Sequence, residues 1–289
     1  MRTKRSILTA RIISTVCLTI LGALWIIPLI WAVGASFKPD IYTDADQFFP
    51  GFENFTWDNY AFLLGDEYPV FRWMLNSLII ASVQTLLYLF IASFAAYALV
   101  FIKWKGKNII FTIILSSMMI PSIATFLPNY ELLFNMGLLG VDDFRYYLAL
   151  ILPGLGGVFG LFIIRSFFLG IPNELIEACK VDGCSNFQIF FKVVLPMGKS
   201  AIFVSAIFAF LGSWNDYLMP TQASLLIQDS KEGNQLITLP VGLAKLVSGI
   251  SGGDATPLAG AVISAIPVMV VYCFAQKYII EGVSRTGIK

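Results

Sequence analysis

Six runs of mostly apolar residues, at about 12–37, 73–102, 109–136, 146–168, 201–218 and 258–280, constrain this chain more than anything else in it. A helix of roughly 20 such residues crosses the ~30 Å hydrocarbon core of a bilayer, and each run is near or beyond that length. Charged residues make up 13% of the chain and hydrophobic ones 57%. A soluble domain carries about 25% and 45–50%. The expected fold is therefore all-α: a polytopic membrane protein of six transmembrane helices. The first run is expected to stay in the chain. It is too long for the core of a cleavable signal, and Trp25, Pro28 and Trp31 stand where small residues would be needed.

Lysine and arginine set the direction, because cytoplasmic loops carry their excess. With the N-terminus inside, the cytoplasmic segments hold Arg2, Lys4, Arg5, Arg11, Lys103, Lys105, Lys107, Arg165, Lys180, Lys192, Lys199, Lys277, Arg285 and Lys289. The outer segments hold only Lys38, Arg72, Arg145, Lys231 and Lys245. Acids lean the other way: Asp40, Asp44, Asp46, Glu53, Asp58, Asp66 and Glu67 all fall between the first two runs. Both termini are then expected in the cytoplasm. The outer loops at 38–70 and 219–256, with their Pro, Gly and aromatic residues, read as folded caps.

Several chemistries drop out early. The chain has no histidine, which removes Ser-His, Cys-His, HExxH and zinc-finger schemes. A net charge of +1 argues against nucleic acid as a partner. Cys179 and Cys184, without histidine or a second pair, make a poor metal site and read as small half-buried side chains. Gly198-Lys199-Ser200 mimics the end of a phosphate loop, but the first glycine of that motif falls on Val193. No site for ATP or its Mg is expected in this chain. Four runs contain proline (Pro28, Pro121 with Pro128, Pro153, Pro267), which fits bent helices packed around a path. Gly156-x-x-x-Gly160 fits close helix contact.

The segment 171–196 is the most informative. Pro172 suits a helix start, and Glu174 and Glu177 lie in the first turns, where the helix dipole favours acids. Gly183 is a natural left-handed stop. Ser185 and Gln188 form a capping-box pattern that restarts a helix. Phe187, Phe190, Phe191 and Val194 recur at helical spacing as an apolar face, and Pro196 ends or bends it. The expectation is a helix pair held rigidly between two spans on the cytoplasmic side. Ala178 and Cys179 are small enough for close approach by a partner, and Glu177 and Asp182 offer charge. An ordinary interfacial amphipathic helix is the plain alternative.

Glu177-Ala178-Cys179, then Gly183, then Val193-x-Leu195-Pro196, resembles the EAA loop of type I ABC importer permeases. Trp31–Lys38, Asn76-Ser77, Trp214-Asn215-Asp216-Tyr217 and the tail from Gln276 to Lys289 are similar to the carbohydrate-importer branch, above all to the smaller permease subunit of its maltose-type members. Cysteine replaces the second alanine of the motif, and valine an isoleucine. The resemblance implies a multi-pass protein of a bacterial-type plasma membrane that forms half of the path for a sugar. Its implied partners are a second homologous permease, two copies of a cytoplasmic ATPase that bind the ATP and Mg, and an extracytoplasmic sugar-binding protein. It implies ATPase docking by Glu177, Ala178, Cys179, Asp182, Gly183, Leu195 and Pro196, with a tail at 282–289 that reaches toward the ATPase. The expected organisation is 1–70 (N-terminal segment, first helix and outer loop), 71–281 (five-helix transmembrane domain with the coupling loop at 172–196) and the tail.

Four polar residues are candidates for a pathway or gate. Asn215 and Asp216 stand about 25 Å along a helix from Lys199, and Asn129 and Glu131 lie near the end of the third run. A helix-end cap is the simpler reading of the first pair. Gln84 and Asn76 are candidates to face the partner permease or the path. Tyr88, Tyr97, Phe126 and Tyr130 would suit stacking on sugar rings, although packing is the simpler role. An ion-coupled transporter using Asp216 is the alternative function. It would call for paired membrane acids or inverted repeats, and neither is evident. An enzyme is not expected.

Overall fold

The computed structural model describes residues 4–39, 54–65, 68–139, 143–227, 235–249 and 255–286. Among them every regular element is helical: α1 (Lys4–Ser36), α2 (Asp58–Leu64), α3 (Val70–Phe101), α4 (Lys107–Ser116), α5 (Ser122–Asn135), α6 (Asp143–Ile151), α7 (Val158–Phe168), α8 (Asn173–Val181), α9 (Asn186–Ile189), α10 (Leu195–Met197), α11 (Lys199–Trp214), α12 (Leu218–Ser224), α13 (Leu239–Gly249) and α14 (Ala255–Thr286). With no water in the hydrocarbon core, a spanning backbone must satisfy its own polar groups, and helices do so.

Four stretches are long and apolar enough to cross a membrane without a sharp bend: Arg11–Ser36, Val70–Phe101, Lys199–Ser224 and Ala255–Tyr278. Two bent helix pairs are also long and apolar enough, and the expected six is reached when each pair counts as one span. The run at 109–136 is not a straight helix. Lys107–Met119 and Ser122–Asn135 meet at 100°. Ile120 (ψ 120°) and Pro121 (ψ 132°) are extended there, because proline disfavours helix in the residue before it and cannot continue one itself. The run at 146–168 bends by 45° between Phe144–Gly156 and Val158–Phe168. A 3-10 turn containing Pro153 precedes the bend, and Gly157 is extended. Pro28 and Pro267, by contrast, sit inside unbroken helices.

The chain divides into two compact units: Met1–Val70 with Leu243–Ile266, and Phe71–Gly242 with Pro267–Lys289. In the first, the end of α1 is locked by Asn59. Its amide donates to the Ser36 carbonyl at 2.9 Å and to that of Lys38 at 2.7 Å, and accepts from Thr256 Oγ1 at 3.1 Å. Phe37 stacks on Phe55, ring centroids 4.6 Å apart, and meets the edge of Trp57 at 4.9 Å. The Trp31–Lys38 segment thus serves as the anchor of a small aromatic cap.

The second unit has two apolar cores. One lies toward the N-terminal end of α3 and gathers Ile80, Leu133, Tyr146, Leu150, Met219 and Leu236. Asn76 is fully buried beside it. It donates to the carbonyls of Gln235 (2.7 Å) and Ile237 (3.0 Å) and accepts from the Tyr147 hydroxyl (2.8 Å). Ser77 Oγ accepts from the Leu239 N–H at 2.9 Å. Asn76 is therefore a structural clamp on the segment before α13, and the expectation that it faces a partner or the path is corrected. The other core lies toward the C-terminal end of α3 and joins Tyr88, Tyr97 and Phe101 to Ile164, Phe168, Ile176, Ile189, Phe190 and Val194. Here α7 packs along α11. A Cβ on Gly160 would overlap the Tyr88 hydroxyl, whereas Gly156 has no neighbour within 4 Å. The close contact expected of the Gly156/Gly160 pair is made by Gly160 alone.

Candidate functional site

The segment after α7 is built from local signals. Pro172 (φ −57°, ψ 129°) delivers an extended chain into α8, with Glu174 in the first turn and Lys180 in the last. Gly183 has φ +79°, a region closed to most side chains. It closes a Schellman motif: the Cys184 N–H donates to the Cys179 carbonyl at 2.9 Å and the Gly183 N–H to that of Lys180 at 3.1 Å. The next helix opens with a complete capping box. Ser185 Oγ accepts from the Gln188 N–H at 3.3 Å, and Gln188 Oε1 accepts from the Ser185 N–H at 2.8 Å. Three residues after a left-handed glycine, the chain is helical again, so the hinge between the two helices is closed on both sides by hydrogen bonds.

Asn186–Met197 then runs as one apolar helix, but not a uniform one. Phe190–Val194 forms a π-helical turn, with the Leu195 N–H donating to the Phe190 carbonyl five residues back. The sequence did not announce this. Its physical cause is Pro196, which lacks an N–H and crowds the carbonyl four residues earlier; the widened turn accommodates it. The extra residue also splits the expected aromatic face. Ile189, Phe190 and Val194 are buried, while Phe187 is 68% and Phe191 49% exposed. Phe94 of α3 still gathers them, stacked on Phe190 at 4.3 Å and edge-on to Phe191 at 5.9 Å.

The two faces of the pair differ. Ile176 and Ile189 are buried in the second core, and half-buried Cys179 and Cys184 pack against it. The cysteines are fillers of the inner face. Glu177, Ala178, Asp182, Gly183 and Pro196 are exposed, Leu195 is half-buried, and Val181 is 87% exposed. The structure so brings Glu177 to Gly183 together on one outward ridge, flanked by a bare valine and phenylalanine. The nearby base is braced by cations that serve locally. Lys107 Nζ donates to the Val100 carbonyl at 3.1 Å, closing the end of α3, and the Arg165 guanidinium lies 3.8 Å above the Phe111 ring.

The polar candidates of the spans lie on different elements. Asn215 caps the end of α11, its Nδ2 donating to the Leu211 carbonyl at 2.9 Å. Asp216 is half-buried in the turn between α11 and α12, its backbone N–H donating to the Ser213 carbonyl at 3.3 Å. The two residues lie at the break between α11 and α12, where the Asn215 side chain caps α11. Asn129 and Glu131 are exposed on α5 beyond the 100° bend. Gln84 does line a cleft of about 360 Å³, with Tyr88, Gly157, Gly160, Ser205 and Phe208. Its Oε1 accepts from Ser213 Oγ at 3.1 Å, and the Tyr88 hydroxyl accepts from the Leu161 N–H at 3.0 Å. The tail after Thr286, and Asp40, Asp44, Asp46, Glu53, Asp66, Glu67 and Lys231, lie outside the described residues.

An all-helical chain with several apolar spans, two of them bent, and a rigid helix pair held between spans defines a polytopic membrane protein with a protruding contact ridge. Comparison with known proteins gives the family. Residues 88–285 match the family described as "Binding-protein-dependent transport system inner membrane component", and this chain belongs to it. It is 33% identical over 286 residues, 96% of each chain, to "Arabinooligosaccharides transport system permease protein AraQ" of Bacillus subtilis (strain 168). It is 28% identical to "Galactooligosaccharides transport system permease protein GanQ" of the same organism, covering 96% of this chain and 94% of that one. A solved chain of a bacterial ABC transporter involved in the import of the acidic polysaccharide alginate has the same fold, with a TM-score of 0.73 at 23% identity, covering 96% of this chain and 99% of that one. Relatives of this kind are transport permeases, and an ion-coupled mechanism through Asp216 finds no support among them.

Proposed function

We propose that the chain is the permease subunit of an ATP-driven sugar importer, forming half of the translocation path. It would act with a second permease, two cytoplasmic ATPase subunits that bind the ATP and Mg, and an extracytoplasmic binding protein that delivers a mono- or oligosaccharide or a sugar derivative. Two things support the substrate class: the oligosaccharide transport named for its relatives, and the likeness to a solved alginate importer. The chain would bind no cofactor and carry out no hydrolysis itself.

The observation that carries the coupling role is the ridge at 177–183. It is exposed, its backbone is closed by a Schellman motif and a capping box, and its inner face is welded to α3 and α7 through Ile176, Ile189 and Phe190. A force applied there reaches the spans without bending the hinge. In this reading Glu177, Ala178, Asp182 and Gly183 meet the ATPase. Cys179 sets the depth of α8 against the core, and Leu195 and Pro196 fix the turn into α11. The excess of Lys and Arg on the same side supports a cytoplasmic ridge, with both termini inside. The Gln84 cleft, together with Asn129 and Glu131, is the part of the chain proposed to border the path. Replacing Glu177 by Lys should release the ATPase from the purified complex, or uncouple its hydrolysis from uptake. Unchanged assembly and uptake in that variant and in Gly183→Val would overturn the docking role.

A further inference from the structure

A groove of about 590 Å³ runs between α3, α11 and the second half of α14. Its walls are largely apolar: Leu86 on α3, Phe203, Ala206 and Phe210 on α11, Val270, Phe274 and Ala275 on α14. Phe274 is 77% exposed and Leu86 68%. One end is marked chemically. Phe203 and Tyr278 stack with ring centroids 4.0 Å apart, and Lys277 Nζ stands 4.9 Å over the Tyr278 ring. Among the described residues that line the groove, Lys277 is the one charge and no acid is present.

We propose that this groove holds an acyl chain of an anionic phospholipid of the cytoplasmic leaflet, with the headgroup phosphate against Lys277. The dimensions fit. From Val270 to Tyr278 is about 12 Å of helix, close to the ~15 Å half-thickness of the hydrocarbon core. Tyr278 then stands at the depth where amphipathic aromatic rings collect, and Lys277 reaches the headgroups on its flexible stem. A sugar does not fit, because among the described residues Ser82 and Thr85 are the only polar side chains on the walls away from the Lys277 end. Ser82, Ala206 and Ala275 on the walls are small, and small residues let helices approach, so a helix of the second permease is the rival occupant that the test must exclude. A lone acyl chain is thin enough to lie between such side chains. The leaflet assignment rests on the proposed orientation.

The test uses the assembled transporter purified from membranes that contain phosphatidylglycerol, with lipid retained after detergent washing counted by native mass spectrometry. Wild type should retain phosphatidylglycerol in preference to phosphatidylethanolamine. Lys277→Gln should lose that preference by about five-fold, the effect of one lysine at an anionic surface. Ala206→Trp, which fills the groove from α11, should lose both lipids from the site. Equal retention in all three proteins overturns the proposal. So does a photo-crosslinker at Phe274 that captures the second permease instead of lipid. Labelling of Lys277→Cys by an impermeant reagent from outside intact cells would overturn the orientation and the leaflet, while the retention counts would still decide the groove.

Discussion

Gly183 offers the sharpest test of the ridge. Its φ of +79° lies where an L side chain costs roughly 1–2 kcal/mol. A Cβ built there meets nothing within 4 Å, so the penalty in Gly183→Ala is backbone strain without collision. That converts to a fall of about 5–30-fold in the closed turn relative to opened forms. The turn is exposed and its opening is local, so the melting temperature of the complex should barely change. The readout is hydrogen exchange at the Gly183 and Cys184 amides, which donate the two Schellman bonds. In Gly183→Ala both should exchange faster by the same 5–30-fold factor. Gly183→Asn should fall between Gly and Ala, because asparagine tolerates the left-handed region better. Binding-protein-stimulated ATPase activity in proteoliposomes should rank Gly, Asn, Ala. Equal exchange in Gly and Ala, or an asparagine variant worse than alanine, would refute the reasoning.

Other perturbations give equally definite outcomes. Ser185→Ala removes the capping box and should cost ~1 kcal/mol of local stability, read as faster exchange at Gln188. Gly160→Ala should lower complex stability by about 1–3 kcal/mol through overpacking against Tyr88, and Tyr88→Phe in the same chain should recover part of that loss, measured by thermal unfolding. Asn76→Leu removes the donor to the Gln235 and Ile237 carbonyls, at roughly 1–3 kcal/mol for each buried carbonyl left unpaired. It should sharply reduce the amount of assembled complex, seen by size-exclusion chromatography. Asp216→Asn removes the charge while keeping the side chain's shape, and should leave uptake within about two-fold of wild type; loss of uptake with intact assembly would assign that carboxylate a pathway role.

Features decided within a few residues were legible in the sequence. Gly183, and Ser185 with Gln188, announce a stop and a restart because caps are satisfied by near neighbours, and the structure forms both. Features that depend on distant partners were not. Asn76 looks like a path residue in a list of membrane polar groups, yet its hydrogen bonds run to residues about 160 positions away. Proline shows the same limit. Pro121 turns the chain by 100°, while Pro28 and Pro267 are absorbed into continuous helices. A proline frees a carbonyl in each case, and the residue type alone does not say whether the helix gives way. The π-helical turn before Pro196 follows from a conflict between a proline and a helix that tertiary contacts hold in place, so periodicity alone expected one aromatic face where the chain shows two.

The central claim is that the 177–183 ridge is where force enters the spans from a cytoplasmic motor. Its most direct measurement is a photo-crosslinker placed at Ala178 in membranes containing the whole transporter, with adducts identified by mass spectrometry. The account predicts an adduct with the ATPase subunit that changes in yield when nucleotide is added. Adducts with lipid alone, or labelling of that position from the outer face of intact cells, would contradict it.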